Sequence, residues 1–188
     1  LIDKRNAYEG SVRVPMVVSA PGLLPQGTTN AARVRNLDLA PTFLDLAGVK
    51  IPDHFEGKSF LDVATGEKTL DEWGEPDFVY EYYWEWTFPM TPTTFAIQRG
   101  PLKYIQYHGV WDIEELYNVE RDPEEMHNLI NDELYYRNVI ELRAALFKEL
   151  SDRNGQHNVP YHARMAEGMN LRDVDGAVAV AFEPQSHP

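Results

Sequence analysis

The stretch Asp3-Lys4-Arg5-Asn6-Ala7-Tyr8-Glu9-Gly10-Ser11-Val12-Arg13-Val14-Pro15 runs from a charged turn straight into an apolar segment. Residues 12–18 are mostly Val and Met with little alternation, the pattern of a strand buried on both faces. There is no initiator Met and no leader ahead of that strand, so the stretch reads as the interior of a larger protein. The loop Pro21-Gly22-Leu23-Leu24-Pro25-Gln26-Gly27 follows. A helix is expected next, with Asp38 as its N-terminal cap, Pro41 in its first turn and Gly48 just past its end. Leu39, Thr42, Phe43, Leu46 and Ala47 fall at helical spacing and would form one buried stripe.

Residues 49–77 are polar and loop-rich, as in a linker, with Phe60, Leu61 and Val63 suggesting a short docked segment. From Phe78 the signal becomes β. Phe78 to Trp86 reads as an aromatic strand, and Thr93 to Arg99 and Leu102 to His108 flank a Gly100-Pro101 turn. Glu115 to Val119 would be a further strand, and Asp122-Pro123-Glu124-Glu125 resembles a helix-starting capping box. A helix over about 132–152 presents Val139, Leu142, Leu146 and Leu150, widened by Ile140 and Phe147. The fold class is α+β: a strand plus helix that end an α/β domain (1–77), then a small antiparallel sheet covered by a C-terminal helix (78–155). Residues 156–188 are expected to form an extended or disordered tail.

The formal charge is −13, with 30 acidic and 17 basic side chains among 188 residues. That balance argues against nonspecific binding to nucleic acid or an anionic membrane, both of which need a basic surface. It leaves room for a small anion, because a local cationic cluster can dominate a pocket. No apolar run approaches the ~20 residues of a membrane span. Without cysteine there is neither a disulfide nor a thiolate metal site. His54, His127, His157, His162 and His187 lack paired metal-ligand spacing, so no metal site is assigned.

Five segments, in order, resemble the sulfatases of the alkaline-phosphatase-like superfamily. They are Lys4 to Pro15; Asn36-Leu37-Asp38-Leu39-Ala40-Pro41-Thr42-Phe43-Leu44-Asp45-Leu46-Ala47-Gly48-Val49; Gly57-Lys58-Ser59-Phe60; Lys103-Tyr104-Ile105; and Glu115-Leu116-Tyr117-Asn118 with Asp122-Pro123-Glu124-Glu125 and Asn128-Leu129. Tyr82-Tyr83-Trp84-Glu85-Trp86 and Tyr107-His108-Gly109 resemble bacterial members acting on sulfated amino sugars or glycosaminoglycans. The resemblance implies a formylglycine nucleophile and a divalent cation, usually calcium, both held upstream of this chain. Ser19-Ala20-Pro21-Gly22-Leu23 lacks the Arg of the formylglycine motif. The expected activity is therefore that of the C-terminal part of a sulfuric ester hydrolase, itself inactive, whose substrate is a sulfated carbohydrate or aryl sulfate. A periplasmic or secreted bacterial enzyme is implied.

Lys4 matches the family's catalytic Lys, five residues before Glu9, where an ammonium binds sulfate oxygens and stabilises the leaving oxygen. Read without the family, it is a surface Lys in a charged turn. Glu9 and Arg13 read as a structural ion pair. Strand alternation puts Trp84 and Trp86 on one face and Glu85 on the other, so at most one set faces a pocket: the indoles could stack on a pyranose or the carboxylate take sugar hydroxyls, or the indoles could pack the core of the small sheet. His108, at a strand end, is either a sugar or sulfate ligand or an ordinary surface His. Arg99 and Lys103 are expected to face solvent. Two other functions remain open: a phosphonate or phosphodiester hydrolase of the same superfamily, and a noncatalytic carbohydrate-binding module. The opening strand and its helix would expose an apolar face that favours oligomers.

Overall fold

The computed structural model describes residues 5–108 and 113–152. The chain forms two compact units, residues 15–76 and residues 77 onward together with the segment up to Val14. The segment before Pro15, read from sequence as part of the first domain, thus packs with the sheet.

In the first unit, helix α2 (Asn36–Leu46) begins one turn earlier than the sequence suggests. A short helix, α1 (Glu9–Val12), precedes it in the chain. Asp38 is not the N-terminal cap but the third helical residue. Its carboxylate accepts the backbone N–H of Arg35 at 2.8 Å and pairs with the Arg35 guanidinium at 2.8 Å. Pro41 lies inside the helix rather than in its first turn. It has no N–H to donate to the Leu37 carbonyl. Gly57 approaches that carbonyl so closely that a Cβ would lie 1.9 Å from its oxygen. Lys58 N–H then donates to Asp38 Oδ1 at 2.8 Å, Phe60 N–H to Thr42 Oγ1 at 3.1 Å, and Ser59 Oγ to Asp45 Oδ2 at 2.6 Å. The Gly-Lys-Ser-Phe segment and the helix are therefore two halves of one interlock. Gly57→Ala is expected to cost about 1–3 kcal/mol by overpacking, read as a fall in the urea midpoint.

Phe60, Val63 and Trp73 form the apolar centre of this unit, so the docked segment expected near Phe60 is present. Two short helices, α3 (Leu61–Thr65) and α4 (Leu70–Trp73), carry it. The expected buried stripe on α2 is not. Asp38, Pro41 and Thr42 face inward, whereas Phe43 is 65% exposed and Leu39 and Leu46 also face outward. The Asp38 and Thr42 hydrogen bonds turn the polar side of the helix to the interlock and leave the apolar side uncovered. Residues 13–20 likewise form no strand: Val17 is 93% exposed, and Val14, Met16 and Val18 are exposed too. A strand needs a neighbouring edge for its backbone groups. Among the described residues no strand pairs with this segment.

In the second unit, β1 (Phe78–Tyr82), β2 (Thr93–Arg99), β3 (Leu102–His108) and β4 (Ile113–Asn118) form an antiparallel meander in chain order. Gly100, at φ 53°, makes the β2–β3 turn. Helix α5 (Tyr136–Asp152) lays Val139, Leu142, Leu146, Phe147 and Leu150 on the sheet face formed by Phe95, Ile97, Tyr104 and Leu116. Arg143 on α5 pairs with Glu114 at 2.6 Å, and Tyr104 Oη donates to the same carboxylate at 2.5 Å. A sheet with a covering helix confirms the α+β reading. The expected helix at Asp122-Pro123 is a turn instead. Glu125 has φ 53°, a left-handed conformation that a helix cannot continue, and its side chain is drawn inward. Asn128 and Leu129 tie back to β4, where Leu116 N–H donates to Asn128 Oδ1 at 3.0 Å and Leu129 N–H to Leu116 O at 2.7 Å.

The other sheet face carries Ala96, Ile105 and Tyr117, and Ala7 is buried against them. Lys103, expected in solvent, is 0% exposed. Register alternation puts it on the same face as Ile105.

Candidate functional site

β1 ends at Tyr82, so Trp84, Glu85 and Trp86 lie on the loop that joins β1 to β2, not on a strand. Strand alternation therefore does not separate them. Backbone bonds shape the loop: Phe88 N–H donates to Glu85 O and Thr91 N–H to Phe88 O, each at 3.0 Å. Trp84 is anchored twice, its N–H donating to Thr93 Oγ1 at 2.9 Å and its indole N–H to Pro89 O at 3.3 Å. The two indoles meet edge to face, with centroids 6.3 Å apart. Trp84 is 48% and Trp86 83% exposed. Large apolar side chains held this far into water are not part of the sheet's core.

His108 ends β3 directly opposite Thr93 in the register. It is half-buried, its ring tilted against Phe95 at 6.0 Å. Thr93 thus links His108, its cross-strand partner, to Trp84, whose N–H it holds. Trp84, Glu85, Trp86 and His108 belong to one end of the sheet.

Lys4 lies outside the described residues, as do the whole tail 156–188 and Gly109. The residue beside Lys4 does not. Arg5 stacks its guanidinium 3.1 Å from the centre of the Phe88 ring, and its Nε lies 3.5 Å from Glu85 Oε1. Arg5 and Phe88 escaped the sequence reading. The cation–π and ion-pair contacts are long-range and leave no periodic trace, although Arg5 lies within the opening stretch and Phe88 two residues past Trp86.

Three residues downstream of Lys4 the segment is clamped. Ala7 O accepts from Lys103 Nζ at 3.0 Å, and Glu9 Oε1 pairs with it at 2.5 Å. Glu125 Oε1 reaches the same ammonium at 2.9 Å, while its other oxygen accepts Glu9 N–H at 2.6 Å. Glu9 is thus a structural ion-pair partner, but of Lys103 rather than Arg13. Tyr8 Oη lies 2.9 Å from Tyr107 Oη and donates to Glu115 Oε2 at 2.8 Å, with its ring edge-on to Tyr117.

Burial, reinforced by the neighbouring Glu115 carboxylate, raises the phenol pKa values of Tyr8, Tyr107 and Tyr117 well above 10. Burial does the same at Tyr104, with Glu114 adding to it. A phenol whose pKa is raised in the fold contributes stability that is complete below pH 10 and is lost as pH climbs through the folded value. The expected result is an unfolding midpoint that falls steeply above pH 10. Four of the ten tyrosines should then ionise only with unfolding, followed by tyrosinate absorbance.

Among the described residues no group of three or more His, Cys, Asp or Glu could hold a metal ion, and no helix is long and apolar enough to cross a membrane.

The family described as N-sulphoglucosamine sulphohydrolase, C-terminal, matches residues 1–154. The chain is 33% identical over 145 residues to an N-acetylglucosamine-6-O-sulfatase of Bacteroides thetaiotaomicron, covering 77% of this chain and 26% of that protein. It is 34% identical over 149 residues to an arylsulfatase of Clostridium perfringens, covering 78% of this chain and 29% of that protein. A solved structure of a protein with its substrate D-glucosamine-2-N,6-O-disulfate matches at TM-score 0.62 and 28% identity, over 72% of this chain and 27% of that one. The chain spans about a quarter of the length of these relatives.

Proposed function

Because the chain belongs to the N-sulphoglucosamine sulphohydrolase C-terminal family, we propose that it is the C-terminal part of a sulfatase that hydrolyses sulfate esters of sugars. Its relatives are named as sulfatases, and a structural neighbour at 28% identity holds a sulfated glucosamine. These similarities favour a sulfate ester over the phosphonate or phosphodiester substrates considered from sequence.

The single observation that carries the site is Arg5. It rests on Phe88 and Glu85 of the aromatic loop, so the residue adjoining Lys4 is seated against the surface that would receive the sugar. In this proposal the Lys4 ammonium binds the sulfate oxygens and stabilises the charge building on the departing sugar oxygen. The exposed indoles of Trp84 and Trp86 take the C–H face of the pyranose, while Glu85 and His108 accept or donate hydrogen bonds at its hydroxyls. Arg5 holds the Glu85 carboxylate in place as it does so.

The family context also implies formylglycine as nucleophile and calcium as the charge-neutralising cation. Neither fits the residues at hand: the sequence holds no Cys- or Ser-x-Pro-x-Arg motif, and there is no metal-binding cluster among the described residues. Both are assigned to the remaining length that the relatives possess and this chain does not span, and no step here runs through them.

Trp86→Ala in the complete gene product should raise KM for a sulfated sugar about tenfold, roughly 1.4 kcal/mol of binding, with kcat little changed. An unchanged KM would remove the indole from the substrate surface. The carbohydrate-binding alternative predicts that the 188-residue chain alone binds glycans. Calorimetric titration with sulfated glucosamines should give weak or no binding, and micromolar binding by the isolated chain would favour the module instead.

A further inference from the structure

The buried ion triad Lys103–Glu9–Glu125 is an expensive way to hold a loop against a sheet. Lys103 is wholly enclosed, and Glu125 is 8% exposed. Taking three charges out of water costs more than well-packed apolar side chains of the same volume would. Glu125 also occupies a left-handed backbone conformation, φ 53°, which is unfavourable for a residue with a Cβ. Apolar contact is already available to this segment, since Ala7 packs on Ala96 and Ile105. Apolar contacts tolerate sliding along a strand, whereas the triad, like the Tyr8 hydroxyl on Tyr107 and Glu115, does not. It fixes three points of the segment at once: the Ala7 carbonyl and the Glu9 carboxylate on Lys103, and the Glu9 N–H on Glu125. Two residues upstream of the clamp, Arg5 is set on Phe88 and Glu85.

We propose that Lys103 and Glu125 are positioning residues for the segment from Arg5 to Glu9, fixing its register against β3 and so the chain that carries Lys4 of the proposed site. They touch no substrate and act through the backbone they hold. The inference rests on the sulfatase reading for its catalytic consequence, but the register itself is observable without activity.

The test uses the complete gene product and the volume-conserving triple variant Lys103→Met, Glu9→Gln, Glu125→Gln. Removing all three charges together avoids stranding a buried ion, so the variant should fold with a melting temperature close to wild type. Its kcat on a sulfated sugar is expected to fall at least tenfold with KM within about threefold, because a misplaced cation is missed in the transition state. Hydrogen exchange at the backbone amide of residue 9 should accelerate at least tenfold, while exchange in β2 and β3 stays at the wild-type rate. Lys103→Arg, which keeps a cation in place, should recover more kcat than the triple variant. A triple variant that folds, keeps its kcat and leaves the backbone amide of residue 9 protected would overturn the proposal and leave the sulfatase reading untouched. If the wild-type enzyme shows no sulfatase activity, that reading fails, and the exchange rate alone decides whether the triad sets the register.

Discussion

Lys103→Met alone is expected to destabilise the sheet unit by about 3–5 kcal/mol, the cost of leaving buried charge without its partner. Lys103 is the shared counter-ion of Glu9 and Glu125, and it also satisfies the Ala7 carbonyl. Methionine keeps the volume and the apolar stem but removes all three interactions. Two carboxylates are then left close together, bridged only by the Glu9 N–H. The loss should register as a fall in the chemical-denaturation midpoint with an unchanged slope. Adding Glu9→Gln and Glu125→Gln should restore much of it. Were the single substitution to cost less than 1 kcal/mol, Lys103 would have to reach water, contrary to its complete burial here.

The second large effect concerns Lys4. Lys4→Ala in the complete gene product is expected to lower kcat by about 10²–10³, the usual cost of removing one charge-stabilising group aimed at a developing oxyanion. The effect should fall mainly on kcat, since charge builds on the leaving oxygen only in the transition state. The lost rate should also depend on the leaving group. An aryl sulfate, whose phenolate departs easily, should suffer less than a sugar sulfate, whose alkoxide needs the help. Equal losses on both substrates would assign Lys4 to ground-state sulfate binding. No loss on either would return it to an ordinary surface lysine.

The antiparallel sheet was legible because its signals are local. Gly100-Pro101 separates two seven-residue runs, and β2 and β3 begin and end where those runs do. The long apolar face of α5 was equally plain, since Val139, Leu142, Leu146 and Leu150 repeat at helical spacing and all are buried. Failures arose where a distant partner overrides the local pattern. The capping-box-like Asp122 to Glu125 suggested a helix, but Lys103 draws Glu125 inward and its backbone turns left-handed. Helix α2 begins a turn before the expected start and buries the opposite side from the one expected. Asp38 and Thr42 bond to residues 58 and 60, a tertiary interlock that periodicity does not record. The apolar run after Val12 was read as a buried strand, yet it has no pairing edge among the described residues.

The placement of the proposed site residues was legible in part. Trp84, Glu85, Trp86 and His108 were recognised by type and do lie at one end of the sheet, although the strand geometry expected for the tryptophans gives way to a loop. The Lys103 triad was hidden because a lysine beside a hairpin turn is ordinarily solvated. Alternation with Ile105 and Tyr107 was the available sign that it points inward.

The most direct measurement is turnover by the complete gene product of glucosamine 6-sulfate against a phosphonate monoester of similar size. Release of inorganic sulfate, suppressed about a hundredfold by Lys4→Ala, is the result that the family membership and the seating of Arg5 lead to. Phosphonate cleavage without sulfate release, or sulfate release indifferent to Lys4, would contradict it.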